Sequence, residues 1–237
     1  MKRVYFVGAG PGDPDLITVK GMDLVQRADL LIYTGSLVNP ELVARSPAPE
    51  KLDSWGMHLE ELLQAMESGV WADKLVVRLH SGDPSLYGAI VEQIAELKKK
   101  GIGAEIVPGV SSLFGAAAAL QTQLTLKGVA DTLIITRPAG QTLERDDLRA
   151  LSRFAATMVI FLGTEKIADI FSRTEFMPDT PVAVVYHASW KDQKIVKGTV
   201  ADIAERVKEA EIDRSALIII GQVVDPGMLY SRSVLYS

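Results

Sequence analysis

The sequence of 237 residues contains no cysteine. This excludes disulfides, thiolate metal sites and cysteine nucleophiles, and it fits a reducing compartment. Long apolar runs are also absent. The run before Gly8 is too short for the core of a signal peptide, and residues 216–221 are far too few to span a bilayer. These absences predict a cytoplasmic protein with no membrane partner.

An excess of positive charge is a further absence. The chain has 30 acidic and 25 basic residues, with a formal net charge of −5, whereas general nucleic-acid binders are usually basic. We therefore expect no nucleic-acid partner. No cluster of metal-ligating side chains stands out in the sequence, so we also predict that the protein binds no metal.

Strand-like and helix-like segments alternate through the first half of the chain. This alternation is typical of a mostly parallel sheet covered on both faces. We predict an N-terminal α/β domain over residues 1–120 with glycine-rich turns. Its predicted strands are residues 4–7, 30–33, 75–80 and 104–107, and its predicted helices are residues 18–28, 59–67, 89–99 and 113–120.

The second half has more closely spaced strand candidates, which predicts a C-terminal α/β domain with a mixed sheet over residues 121–237. The predicted strands are residues 132–136, 158–162, 182–186, 195–197 and 217–221, and the predicted helices are residues 148–153, 167–173 and 200–210. The predicted fold class is therefore α/β, with two α/β domains.

The tripeptide Gly-Asp-Pro occurs at residues 12–14 and 82–84, each time shortly after a predicted strand. Asp before Pro is typical of a helix N-cap and first helical position, so each copy is predicted to lead from strand to helix. A third turn, Pro108-Gly109, is followed by Ser111 and Ser112. Ligands bind at the carboxyl ends of strands in open α/β sheets, so these turns predict a single ligand cleft.

The segment from Gly8 to Asp13 follows the first strand, where a dinucleotide fingerprint would lie. Its last position is Asp13 instead of glycine, and Pro11 and Pro14 remove amide donors for a pyrophosphate. The end of the second strand also lacks the acid that would bind a ribose. These features disfavour a nicotinamide site. For this segment alone, a purely structural glycine turn is an equally good interpretation.

The ordered set of residues 7–18, 82–84, 107–112 and 216–221 resembles the tetrapyrrole methyltransferase family over essentially the whole chain. Residues 33–40 and 78–88 are most similar to the branch that methylates C11 of precorrin-4 or cobalt-precorrin-4 in cobalamin biosynthesis. The resemblance implies a two-domain α/β fold that differs from the Rossmann fold, with S-adenosylmethionine bound between the two domains. It also implies a homodimer. The implied cofactor contacts are Pro11, Ser81, Gly82, Asp83, Leu86, Ser111, Ser112, Leu162 and Ala188.

A substrate with many carboxylates needs local cations, and Arg137 is the first candidate for them. Because the electron-rich ring carbon is itself the nucleophile, no covalent protein nucleophile is expected and no catalytic residue is assigned. His80 and His187 lie beside implied cofactor positions, although each is also typical of a structural histidine. The alternatives are methylation of uroporphyrinogen III or another precorrin, a related methylation of a macromolecule, and a carrier that binds tetrapyrroles without catalysis.

Overall fold

The structure is a computed structural model that describes residues 2–140, 143–227, 229 and 231. The chain divides into two compact units, Met1–Phe114 and Gly115–Ser237. Within the described residues, each unit contains one five-stranded sheet with helices packed on it, so the α/β fold with two sheets is confirmed. The domain boundary predicted after residue 120 stays a prediction.

The sheet of the first unit is entirely parallel, with strand order β3-β2-β4-β1-β5. Its apolar side chains alternate between two buried faces, which is why helices cover both sides. The strands are β1 (Arg3–Gly8), β2 (Leu30–Tyr33), β3 (Glu50–Asp53), β4 (Val76–His80) and β5 (Gly103–Val107). The helices are α1 (Val19–Arg27), α2 (Pro40–Ala44), α3 (Leu59–Trp71), α4 (Ile90–Lys99) and α5 (Ser112–Ala119), of which α5 begins in this unit.

Helix α2 and strand β3 were not predicted from the sequence. Strand β3 lies at the edge of the sheet, and Glu50, Lys51 and Asp53 on it are exposed. Such a strand has no apolar alternation, because it buries little on either face. Helix α2 has only five residues, which is too short to show a helical period.

The sheet of the second unit is mixed, with strand order β6-β7-β10-β8-β9. Strands β6 and β7 are parallel, and the other neighbouring pairs are antiparallel. The strands are β6 (Leu133–Thr136), β7 (Thr157–Ile160), β8 (Pro181–Tyr186), β9 (Lys194–Thr199) and β10 (Ala216–Ile220). The helices are α6 (Leu148–Leu151), α7 (Ile167–Arg173) and α8 (Ile203–Glu209). None of the helices in the described parts of the chain has the length and apolarity to cross a membrane.

Strand direction decides which loops lie together in each unit. In the first unit all five strands end at one edge of the sheet. In the second unit β7 and β8 both run antiparallel to β10, and β6 runs parallel to β7, so β6, β7 and β8 also end at one edge. Loops at the carboxyl ends of parallel strands are the usual place for a ligand.

Candidate functional site

Three turns from distant parts of the first unit meet at the carboxyl ends of β1, β4 and β5. The amide of Gly82 donates to the carbonyl of Gly10 at 2.8 Å, and the amide of Gly10 donates back to the carbonyl of Gly82 at 3.3 Å. Gly109 of the third turn lies directly against Gly8. We call residues 8–14, 81–88 and 108–112 the glycine site. The prediction that these turns converge is confirmed.

The glycines of this site are required by the contact between turns. A Cβ on Gly109 would lie 2.2 Å from the carbonyl oxygen of Gly82 and 2.7 Å from the Cα of Gly8. A Cβ on Gly8 would lie 2.5 Å from the Cα of Gly109. Since backbone atoms fill these spaces, glycine at both positions lets one turn approach another.

Asp83 joins two of the turns through its carboxylate. Oδ1 accepts a hydrogen bond from the amide of Ser85 at 2.8 Å, and Oδ2 accepts one from the amide of Gly109 at 2.8 Å. Asp13, in the other Gly-Asp-Pro copy, accepts from the amide of Asp15 at 2.9 Å and caps a short 3₁₀ turn. Asp83 therefore connects segments that are far apart in the chain.

The first Gly-Asp-Pro leads into a 3₁₀ helix of three residues, with Asp13 as its N-cap and Pro14 as its first residue, as predicted. The prediction that each copy leads directly into the following α-helix was wrong. Helix α1 begins at Val19 and is capped by Thr18, whose Oγ1 accepts from the amide of Gly21 at 3.1 Å. Helix α4 begins at Ile90, after Ala89 with a left-handed φ of 48°. Asp-Pro suits the start of any αR-like turn, and here the chain makes one tight turn before each helix begins.

The cofactor residues predicted in the first unit all lie in the glycine site. Ser81 is exposed, Leu86 and Asp83 are half-buried, and Pro11 and Gly82 are buried. Ser111 is also buried, with its hydroxyl accepting from the amide of Leu113 at 3.4 Å, and Ser112 is the first residue of α5. The structure therefore brings together hydroxyl, carbonyl and apolar groups at one edge of the sheet.

Three predicted residues lie in the second unit, also at one edge of a sheet. Arg137 follows β6, Leu162 follows β7 and Ala188 follows β8. Arg137 is half-buried, Ala188 is buried, and Leu162 is 67% exposed with a left-handed φ of 55°. Leu162 was predicted to end a strand, but β7 stops at Ile160. The binding roles of these three residues stay predictions.

Aromatic rings stack in the loop that contains Ala188. The rings of Tyr186 and His187 are stacked with centroids 3.8 Å apart, and the rings of His187 and Trp190 are stacked at 4.6 Å. Nδ1 of His187 lies 3.0 Å from a carboxylate oxygen of Asp192, which fixes the ring orientation. One face of Trp190 is therefore occupied by His187.

A polar cluster lies towards the carboxyl ends of β2, β3 and β4, and of its members the sequence had singled out His80 alone. We call Thr34, Ser54, Arg78 and His80 the Arg78 cluster. Arg78 is 6% exposed, and its guanidinium donates from Nη2 to Oγ1 of Thr34 at 3.2 Å. Its Nε and Nη1 have no hydrogen-bond partner among the described residues. Burial lowers the pKa of Arg78 to about 10, against the opposing effect of Asp53, so the group stays charged at neutral pH.

His80 is the second titratable member of the Arg78 cluster. Burial and the charge of Arg78 lower its pKa to about 3, so its imidazole is neutral at neutral pH. Its Nε2 is buried with no partner among the described residues, and its ring lies 5.9 Å from that of Phe6. The sequence signal for this cluster was a charged residue inside the apolar strand β4, since arginine is rarely buried without a pairing partner.

The chain is similar to known proteins over nearly its full length. The family model described as tetrapyrrole (corrin/porphyrin) methylases matches residues 3–204. A cobalt-precorrin-4 C(11)-methyltransferase of Methanocaldococcus jannaschii is 51% identical, over 99% of this chain and 93% of the relative.

Solved structures of such enzymes are also similar to the chain over nearly its full length. An X-ray structure of cobalt-precorrin-4 methyltransferase, a cobalamin biosynthetic enzyme, superposes with a TM-score of 0.91 at 44% identity and covers 95% of this chain and 97% of that one. A uroporphyrin-III C-methyltransferase from Thermus thermophilus, complexed with S-adenosylhomocysteine, has a TM-score of 0.82 at 31% identity and covers 94% of each chain. The chain belongs to the tetrapyrrole methylase family.

Proposed function

We propose that this protein transfers a methyl group from S-adenosylmethionine to C11 of precorrin-4 or cobalt-precorrin-4, a step of cobalamin biosynthesis. The observation that carries the proposal is the 51% identity, over nearly the full length of both chains, with a relative that bears this name. The similarity to a uroporphyrin-III methyltransferase is lower, at 31% identity. Methylation at another ring position is therefore the second candidate.

We propose that the glycine site holds the cofactor through Pro11, Ser81, Gly82, Asp83, Leu86, Ser111 and Ser112, with Leu162 and Ala188 as further contacts. The site fits an adenosine that carries an amino acid, because hydroxyl and carbonyl groups lie beside the apolar side chain of Leu86. When bound, S-adenosylmethionine supplies an electrophilic methyl group on a sulfonium.

The protein's own contribution to such a transfer is positioning and the exclusion of water. The contact between Gly8, Gly82 and Gly109 fixes the three turns against each other, so the groups that they present are already ordered before a ligand binds. His80 is neutral at neutral pH and places no second positive charge beside Arg78. The acid side chains of a tetrapyrrole require cations, and we propose Arg137 as one of them.

Product analysis tests the proposed function. Purified protein should bind S-adenosylhomocysteine by calorimetry. It should also transfer a labelled methyl group to precorrin-4 or its cobalt form, with NMR placing the label at C11. A label at another carbon would refute methylation at C11 and would still agree with a tetrapyrrole methylase. Tetrapyrrole binding without any transfer would indicate a carrier.

The substitution Arg137→Ala tests the substrate cation. It should raise the KM for the tetrapyrrole by about 10-fold, the effect of one lost charge-assisted hydrogen bond, and leave the Kd for S-adenosylhomocysteine unchanged. Arg149→Ala is the control, because Arg149 is an exposed arginine of the same unit that pairs with Glu175. A larger effect on cofactor affinity than on KM would remove Arg137 from the substrate site.

Two further proposals come from the family resemblance alone. We propose that the protein is a homodimer and that it acts in the cytoplasm. Light scattering after size-exclusion chromatography measures the first, and a mass of one chain would refute it. Fractionation of the native cells tests the second.

A further inference from the structure

The guanidinium of Arg78 is a buried cation that uses only part of its hydrogen-bonding capacity within the described residues. Only 6% of the residue is exposed, and Nε and Nη1 have no partner among the described residues. Its one described hydrogen bond goes to a neutral hydroxyl, that of Thr34. A buried charge that lacks a hydrogen-bonded counter-ion is costly, so proteins rarely keep one without a use.

The hydroxyl groups beside Arg78 have fixed directions. Oγ1 of Thr34 accepts from Nη2 of Arg78 and lies 3.1 Å from Oγ of Ser54. The Ser54 hydroxyl donates to the carbonyl of Tyr33 at 2.9 Å, so the proton between the two hydroxyls belongs to Thr34. Thr34 therefore accepts from Arg78 and donates to Ser54. This leaves Nε and Nη1 of Arg78 as donors with no acceptor among the described residues.

Asp53 does not neutralise Arg78 by a direct bond. Its Oδ1 accepts from the amides of Gly35 and Trp55, both at 2.9 Å. It favours the charged guanidinium only through space, and this attraction is weaker than the penalty of burial. The charge of Arg78 is thus only partly compensated by the described residues of the first unit.

The position of Arg78 suits a ligand at the carboxyl edge of the sheet. Thr34 and Ser54 follow β2 and β3, and His80 ends β4, and all three are half-buried at that edge. Ser81 of the glycine site follows His80 directly in the chain. His80 is neutral and adds no charge. An anion that reached this edge would meet a preoriented cation and a fixed hydroxyl.

We propose that Arg78 binds a carboxylate of a reactant at the carboxyl end of β4. The identity of the reactants rests on the proposed function, in which carboxylates occur on the methionine end of S-adenosylmethionine and on the acid side chains of the tetrapyrrole. A carboxylate is the anion that guanidinium groups pair with most directly. Its arrival supplies counter-charge that the described residues provide only in part.

The test compares Arg78→Met and Arg78→Lys with the wild-type protein and with Arg149→Met as a surface control. Calorimetry measures the Kd for S-adenosylhomocysteine, for methylthioadenosine, which lacks the carboxylate, and for cobalt-precorrin-4. Urea unfolding of the ligand-free variants reports whether the fold is retained. We expect Arg78→Met to raise the Kd for the ligand whose carboxylate Arg78 binds by about 10- to 100-fold. Arg78→Lys should raise this Kd less.

The pattern of affinities distinguishes the two sources of the carboxylate. A loss for S-adenosylhomocysteine with none for methylthioadenosine would assign Arg78 to the methionine carboxylate. A loss for cobalt-precorrin-4 alone would assign it to the tetrapyrrole. Unchanged affinity for all three ligands would overturn the inference. Equal losses for all three, together with unfolding at lower urea concentration, would also overturn it and give Arg78 a structural role.

Failure of this inference differs from failure of the proposed function. Protein that binds both reactants but transfers no methyl group would refute the proposed function, while the affinity comparison would still decide the role of Arg78. If the Arg78→Met variant transfers methyl groups at the wild-type rate, with unchanged Kd and KM for both reactants, the inference is refuted and the proposed function stands.

Discussion

Replacement of Asp83 by alanine tests whether its carboxylate holds two turns of the glycine site together. The Asp83 carboxylate accepts two amide hydrogen bonds at 2.8 Å, one of them from Gly109 in a turn 26 residues away. A hydrogen bond to a charged group is worth about 1.5–3 kcal/mol, and partial exposure of Asp83 places each bond near the lower limit. Asp83→Ala should therefore reduce the free energy of unfolding by about 3 kcal/mol.

The matched control is Thr18→Ala, at the N-cap of helix α1. Thr18 accepts a local hydrogen bond from the amide of Gly21, and the loss of such a cap costs about 1 kcal/mol. Urea unfolding monitored by circular dichroism gives both values, and calorimetry with S-adenosylhomocysteine gives the affinity. Asp83→Ala should also weaken the cofactor more, because the turn at Gly109 is no longer fixed. Equal destabilisation by the two substitutions would refute the connecting role of Asp83.

Two further substitutions have outcomes that the packing and the ion pairs determine. Gly109→Ala places a Cβ 2.2 Å from a backbone oxygen and should lower the free energy of unfolding in urea by more than about 3 kcal/mol. The control Gly101→Ala has open space around the new Cβ but a φ of 72°, and should lower it by only about 1 kcal/mol. Similar losses for the two substitutions would refute the packing argument. Hydrogen bonds from Arg173 lower the pKa of Asp146 from 3.8 to about 2. The pair should therefore add about 2 kcal/mol of stability above pH ~4 and lose it as the pH falls through ~2. Asp146→Asn should flatten this acid dependence, and the exposed Asp169→Asn should leave it as in the wild type; an unchanged acid profile in Asp146→Asn would contradict the assignment.

The sequence predicted the elements that bury a regular apolar face. Strand β2 and helix α7 have the predicted bounds, because each is apolar at the positions that face the core. Strand β3 was missed, since an edge strand of Glu50, Lys51 and Asp53 carries no such signal. The bounds of α4 shifted because a tight turn at Gly88, where a Cβ would lie 2.1 Å from the carbonyl oxygen of Pro84, precedes the helix.

The candidate site was predictable in its residues and less so in its contacts. The three glycine turns could be located because Gly, Asp and Pro restrict the backbone locally, and the order β4-β1-β5 then places them side by side. The use of the Asp83 carboxylate could not be predicted from the motif. Both Asp13 and Asp83 occupy the same tripeptide, and the bond from the amide of Gly109 to Asp83 depends on a turn that is distant in the sequence.

The sequence by itself determined the alternation of strands and helices, the position of each glycine turn and the similarity to the family, because these depend on local conformational preference and residue order. The tertiary structure decided which groups meet. Gly8 and Gly109 face each other only because strands distant in the chain become neighbours in the sheet. For the same reason Arg78 is buried with two donor nitrogens that have no partner in the part of the chain that the structure describes. Burial and hydrogen bonding across such distances are properties of the packed sheet, and no local pattern encodes them.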